Sequence, residues 1–166
     1  MKIAPNTKVA ASTFAERAIA FCTLIEKNKQ FSSPIFLKQC HWLLSELNVL
    51  ALSLPEDLDV SETESDFSLN ADALFHEMRA KLGKRDIFWV VFNPYSREKP
   101  VQASLADAFR DIYLEMKEGL SIYGSGSLQA CRDAIWHWRF GHENHWGKHA
   151  VEALMALHEL QSEGYE

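Results

Sequence analysis

The sequence predicts an all-α protein, organised as a single-domain bundle of about five to seven helices over residues 1–166. Apolar residues recur every three or four positions along most of the chain, which is the spacing of one helix face. Residues that favour helix N-termini precede several of these stretches. A chain of 166 residues, 47% of them hydrophobic, is also long and apolar enough to bury a core. The chain has no internal repeat and no second region of different composition, so we expect one domain.

The composition limits the classes of function. No apolar run approaches the roughly 20 residues needed to cross a bilayer, and residues 1–8 lack the apolar centre of a signal peptide. The sequence therefore predicts a cytoplasmic protein without membrane contact. Three widely spaced cysteines, Cys22, Cys40 and Cys131, fit buried, reduced thiols. The net charge of −6 argues against nucleic-acid binding, because such proteins usually carry a basic face.

Two helices are predicted in the first third of the chain. Thr13 and Glu16 have the spacing of a capping box, which predicts that the first helix begins there. Ser33 followed by Pro34 predicts the start of a second helix that runs to about Leu54 and stops before a proline. Apolar residues cover this second helix almost all round. We therefore predict that it is the central helix of the bundle.

The middle of the chain is less regular. Residues 56–66 carry six acidic residues and no basic one, which predicts a solvated loop. A third helix is expected from about Asn70 to Lys81, because Gly83 suits the position after a helix C-terminus. The run from Ile87 to Phe92 has the composition of a strand, but no partner strand is evident, so we predict a short helix capped by Asp86.

The last third predicts two longer helices. Ser104 and Asp107 indicate the cap of a fourth helix, and residues 124–126 (GSG) indicate a break. Ser127 then caps a helical stretch that is expected to continue to about Gln161, with bends at Gly141 and Gly147.

Three of the five tryptophans and four of the seven histidines lie between residues 136 and 149. In a continuous helix His142, His145, His149 and Glu152 would fall within about 80° of one another. Such a set can bind zinc or iron, and it is the candidate metal site. It is one residue short of the HExxH motif, so the general base of that motif is absent. The alternatives are acid–base catalysis and, favoured here, a structural role in which the histidines pair with Glu143 and Glu152.

The aromatic residues of the same segment form the candidate pocket or interface, together with His41. Trp136 and Trp138 point about 160° apart on a helix, so one is expected in the core and the other in a groove or subunit contact. Trp146 belongs to the same cluster. Arg139 points in a third direction and can pair with the acidic loop.

Three segments resemble one bacterial family. They are residues 14–26 (FAERAIAFCTLIE), 104–117 (SLADAFRDIYLEMK) and 136–158, which contains HWGKHA and ALMALH. In this order they are similar to the family filed as domain of unknown function 5063, and the resemblance covers nearly the whole chain. It implies a helical, cytoplasmic protein. It implies no activity, no cofactor and no catalytic residue.

The favoured function is a non-enzymatic binding module that contacts a protein partner or a second copy of itself. Apolar and aromatic residues exceed what one amphipathic bundle needs, and no GxSxG, P-loop, GxGxxG or Cys–His signature is present. Two alternatives stay open. One is a metal-dependent enzyme or metal-binding protein that uses the histidine cluster. The other is a small-ligand pocket between the central helix and Trp138, with His41 as its polar contact.

Overall fold

The computed structural model describes residues 6–61 and 64–166. Over these residues the predicted helical bundle is confirmed, with one small antiparallel hairpin added. The helices are α1 (Thr7–Glu26), α2 (Ser33–Leu52), α3 (Asp72–Leu82), α4 (Leu105–Tyr123), α5 (Leu128–Asn144) and α6 (Trp146–Gln161), and the strands are β1 (Ile87–Val90) and β2 (Val101–Ser104). Within the described ranges, no helix combines the length and the apolar character that crossing a membrane requires. Residues 56–61 and 64–66 of the acidic loop are among the described residues. Glu62 and Thr63 lie outside them, as do residues 1–5.

The central helix is α4, and the prediction that α2 is central was wrong. Helix α4 packs against α1, α3, α5 and α6. Helix α2 instead lies at the surface, with Leu44 and Leu47 buried on its inner side and Trp42 and Val49 exposed on its outer side. Apolar residues surround α2 because it has two apolar faces. Within the described chain only the inner face packs against other helices, and the outer face is exposed.

Side-chain caps mark the N-termini of α1, α4 and α5. The side chains of Ser104 and Ser127 accept hydrogen bonds from backbone N–H groups in the first turns of α4 and α5, which confirms both predicted caps. Helix α1 begins at Thr7 rather than at Thr13, because Asn6 caps it by accepting a hydrogen bond from the Lys8 N–H. Gly124 has a φ of +36° directly after α4, which confirms the predicted break.

The helix predicted over Ile87–Phe92 was wrong, because this segment forms β1. Its partner is β2, with Ile87 opposite Ser104 and Val90 opposite Val101. Asp86 does act as a cap, but for α4: its buried carboxylate accepts hydrogen bonds from the Ser104 hydroxyl at 2.9 Å and the Ala106 N–H at 2.8 Å. The hairpin is therefore fastened to the start of the central helix.

The prediction of one continuous helix from Ser127 to Gln161 was also wrong. The chain turns at His145, whose φ and ψ are −147° and −81°, so α5 ends at Asn144 and α6 begins at Trp146. Gly141 and Gly147, where bends were predicted, lie on either side of this turn. Their role is to allow close contacts between neighbouring groups. A Cβ on Gly141 would lie 2.8 Å from Cδ1 of Trp146, and a Cβ on Gly147 would overlap the carbonyl oxygen of His142.

Two fully buried tryptophans occupy the core between these helices. Trp138 lies with its ring centroid 4.6 Å from that of Phe14, and its indole fills the space that a side chain at Gly119 would need. Trp146 donates a hydrogen bond from Nε1 to the carbonyl oxygen of Trp138 at 2.8 Å. The aromatic residues thus join α1, α4, α5 and α6.

The three cysteines are buried and free, as the sequence predicts. Burial raises the pKa of the Cys22 thiol to about 12, and it raises the pKa of Cys40 well above its ordinary value. These thiols are therefore held in the protonated, unreactive form.

Replacing Gly119 by alanine should destabilise the fold by about 1–3 kcal/mol, because the new Cβ would overlap the indole of Trp138. Chemical denaturation measures this loss. In the double variant Gly119→Ala/Trp138→Phe the smaller ring relieves the overlap, so the combined loss should be less than the sum of the two single losses. Strict additivity would contradict the proposed contact.

Leu47→Ala should cost about 2–5 kcal/mol of unfolding free energy, because Leu47 is fully buried on the inner side of α2. The control is Leu52→Ala on the same helix, where the side chain is 72% exposed and the change should stay within about 0.5 kcal/mol. Equal losses at the two positions would mean that α2 does not lie on the core as described.

Candidate functional site

One edge of the central helix carries a row of carboxylates. Asp111, Glu115 and Glu118 follow one another at spacings of four and three residues, so they lie on one side of α4. The side chains of Asp111 and Glu115 are each only 19% exposed. Burying carboxylates is costly unless they have partners, so the groups that face them matter.

Histidines from α5, from the turn after it and from α6 provide these partners. Nδ1 of His145 lies 2.8 Å from Oε1 of Glu115, and Nε2 of His149 lies 3.6 Å from Oδ2 of Asp111. Nε2 of His137 lies 3.3 Å from the second carboxylate oxygen of Glu115. This last approach is too poorly aligned for a hydrogen bond, so the buried Nε2 of His137 has no hydrogen-bond partner within residues 6–61 and 64–166.

The electrostatics of Glu115 reflect this arrangement. Burial by itself raises its pKa, but the contacts with His137 and His145 outweigh burial, and the pKa of Glu115 falls below its ordinary value of 4.5. Glu115 is therefore a carboxylate at neutral pH. It accepts a hydrogen bond from Nδ1 of His145, so in the neutral form of that ring the lone pair is on Nε2.

Only part of the predicted histidine set meets in space. His145 and His149 come together with Asp111, and one ligand atom from each lies within 4.8 Å of the others. His142 points instead to α2, where its Nε2 donates to Oδ1 of Asn48 at 2.8 Å. Glu152 approaches Lys148 at 3.9 Å. Metal binding by these residues stays a prediction.

The sequence reasoning missed the acids that pair with the histidines. Glu143 and Glu152 were expected in this role, but Glu143 pairs with Arg139 at 2.7 Å. The acids of α4 pair with the histidines instead. A signal was available in the row of acids at positions 111, 115 and 118, which runs along one side of an amphipathic helix.

The tryptophans separate as their angular spacing predicts. Trp138 is buried, whereas Trp136 is 47% exposed and stacks on Phe140 with ring centroids 4.9 Å apart. Trp146 is buried rather than at a pocket or surface. Nη2 of the Arg139 guanidinium lies 3.6 Å from Oε1 of Glu56, which confirms the predicted pairing of Arg139 with the acidic loop.

The acidic loop also contacts α5 through polar groups. The backbone N–H and the hydroxyl of Ser61 donate to Asp133 at 2.7 and 2.8 Å, and Gln129 donates to the carbonyl oxygen of Asp59 at 3.2 Å. The loop therefore passes beside Trp136, and the two together line a cleft of about 490 Å³.

His41 lines a groove beside α2, whereas Trp138 lies in the core and does not line this groove. The groove has a volume of about 940 Å³ and is mainly apolar, with Ile35, Trp42 and Leu43 among its lining residues. Nδ1 of His41 shares a hydrogen bond of 2.9 Å with the hydroxyl of Tyr165. Burial, followed by the nearby charge of His158, lowers the pKa of His41. The predicted pocket thus has His41 but not Trp138.

The six helices and the hairpin define a mainly helical bundle with a histidine and carboxylate face. The chain belongs to the family described as domain of unknown function DUF5063, whose model matches residues 6–163. This confirms the resemblance that the sequence indicates.

A similar fold occurs in the crystal structure of protein BF1032 from Bacteroides fragilis. The two chains are 19% identical, the match covers 89% of each, and the TM-score is 0.74. At this identity the likeness shows the fold alone. No curated protein matches the chain.

His142 should make stability depend on pH. Burial lowers its pKa from the ordinary value of 6.5, so below about pH 6.5 the unfolded chain binds a proton that the folded protein resists. The unfolding free energy should therefore be highest above pH 6.5 and fall as the pH decreases through the folded-state pKa. In His142→Gln, denaturation series from pH 7 to about 5 should show a smaller slope than in the unmodified protein. An unchanged slope would show that His142 does not contribute.

Proposed function

We propose that this protein is a binding module that acts by self-association, with the outer face of α2 as the contact between two copies. The observation that supports the proposal is an apolar row on this helix. Ile35, Trp42 and Val49 follow one another at seven-residue spacing and are 52%, 69% and 65% exposed. Seven residues are close to two helical turns, so the row is nearly straight over about 21 Å.

The face is complementary to itself when a second copy packs antiparallel. A two-fold axis beside Trp42 brings the two copies of this residue together and places Ile35 level with Val49 of the other helix. It also places Lys38 level with Glu46 of the other helix, since both are four residues from Trp42. Such a reciprocal match is what a two-fold contact requires.

The charges on this face support the same arrangement. Lys38 is exposed and makes no ion pair within the described parts of the chain, while Glu46 lies 3.5 Å from Arg17 and remains one-third exposed. A second copy places Glu46 at the level of Lys38 on the opposite flank of the apolar row, so the two side chains approach each other across the row. Tryptophan at the centre of an interface commonly carries much of the binding energy.

Other exposed aromatic residues fit this role less well. Trp136 stacks on Phe140 and is flanked by the acidic loop of its own chain, whose residues line the clefts on both sides of it. Trp42 faces a groove without such a covering segment among the described residues. The surface of α2 is therefore the preferred interface.

A second candidate function uses the same groove. Its volume of about 940 Å³ is that of a small-molecule site, and Lys38 and His41 give it polar groups beside an apolar wall. An apolar ligand with one carboxylate would fit this chemistry.

Self-association predicts that the average mass in sedimentation equilibrium rises from 19.0 kDa towards twice that value with concentration. Trp42→Ala should weaken the dimer at least tenfold, which corresponds to about 1.4 kcal/mol. Trp136→Ala is the matched control, and it should leave the association unchanged. A concentration-independent monomer, or a loss at Trp136 instead of Trp42, would refute the proposed interface.

A charge exchange separates the dimer from the ligand pocket. Lys38→Glu and Glu46→Lys should each weaken association, because each places like charges at the same level of the interface, and the double variant should restore it. A carboxylate ligand in the groove would lose its lysine in the single variant Lys38→Glu and also in the double variant. Association that returns in the double variant would therefore favour the dimer, and association that stays weak would favour the ligand.

A further inference from the structure

The strongest independent feature is the junction of α4 with the start of α6. Here Asp111, His145 and His149 offer one oxygen and two nitrogen atoms within 4.8 Å of one another. His145 and His149 are four residues apart, so their rings lie on the same side of the chain, with centroids 5.0 Å apart and planes nearly perpendicular. Two imidazoles and one carboxylate are a common ligand set for divalent transition metals.

The separation of Asp111 from His149 fits a shared ion. Two ligands of a tetrahedral zinc, with bonds of about 2.1 Å, lie about 3.4 Å apart. Nε2 of His149 and Oδ2 of Asp111 are 3.6 Å apart. Arg110 donates to the other oxygen of Asp111, Oδ1, at 2.9 and 3.1 Å, which leaves Oδ2 facing the histidine.

Glu115 prepares His145 for the same role. Its carboxylate accepts a hydrogen bond from Nδ1–H of His145 at 2.8 Å, and in this neutral tautomer the lone pair is on Nε2. A carboxylate that holds the far nitrogen of a metal-binding histidine fixes the ring and makes it a better ligand. Ion pairing explains the contact of Glu115 with His145 and that of Asp111 with His149, taken one at a time. The additional observation is that both histidines and Asp111 converge on one point.

The site also opens to solvent on one side. A cleft of about 360 Å³ reaches it and is lined by Asp111, Glu115, Glu118 and His145, together with Leu114 and residues 67–69. A metal with three protein ligands would therefore have room for water or another small ligand in its coordination sphere.

We propose that Asp111, His145 and His149 bind a divalent transition-metal ion of the zinc or iron(II) class, with Glu115 as the positioning residue for His145. This set replaces His142 and Glu152 of the sequence-based candidate by an acid from α4. Magnesium and calcium are poor fits, because they prefer sites made of oxygen ligands. The proposal does not depend on the α2 interface.

Isothermal titration of the full chain with zinc chloride tests the site. We expect one zinc per chain, and magnesium chloride should give no comparable binding. His149→Ala and Asp111→Asn should abolish zinc binding, while Glu115→Gln should weaken it about 10–100-fold. The control is His158→Ala, which removes an exposed histidine of α6 and should bind zinc as the unmodified protein does.

Thermal melting supplies the second readout. Zinc should raise the melting temperature of the unmodified protein and of His158→Ala, and a chelator should reverse the shift. His149→Ala lies at a partly exposed position and should still fold, but zinc should not shift its melting temperature. Binding should also weaken as the pH falls, because protons compete with the metal for its ligands. Absence of zinc binding by the unmodified protein, or equal binding by His149→Ala, would overturn the proposal.

Discussion

The close approach of α5 to the central helix at Gly119 is the constraint on which the rest of the bundle depends. The indole of Trp138 lies where a Cβ of Gly119 would be, so α4 and α5 can meet only because residue 119 has no side chain. The same indole contacts Phe14 of α1, and the Trp138 carbonyl accepts the hydrogen bond of Trp146. One large side chain therefore sets the positions of three other helices.

This packing also determines where the histidines point. Trp146 sits against Gly141, and Gly147 fits against the carbonyl of His142, so the chain can turn sharply at His145. The turn directs His145 and His149 towards the acids of α4, while His142, three residues earlier, faces Asn48 of α2. A continuous helix would have kept all three on one side. The histidine and carboxylate face thus follows from core packing rather than from helix periodicity.

The sequence predicted features that depend on neighbouring residues and missed those that depend on distant ones. The caps at Ser104 and Ser127 and the break at Gly124 are local, and they were correct. The hairpin was missed because β2 (VQAS) is only four residues long and has a single β-branched residue, so β1 had no visible partner. Helix α2 was predicted to be central because the sequence pattern of a helix with two apolar faces is the same whether the second face is buried within the chain or exposed. Asp111 and Glu115 were missed because only the fold brings them near the histidines.

The histidines show how environment divides one residue type into separate roles. Burial beside Asn48 favours the neutral form of His142, and a tyrosine hydroxyl holds His41 in the groove beside α2. His145 instead donates to a buried carboxylate, which fixes its tautomer and frees the nitrogen on its other side. His149 faces a carboxylate oxygen that Arg110 does not occupy. Among the described residues, His145 and His149 are the histidines that converge with an acid, Asp111, on one point. For this reason the metal site is proposed at the junction of α4 and α6 and not in the histidine-rich segment as a whole.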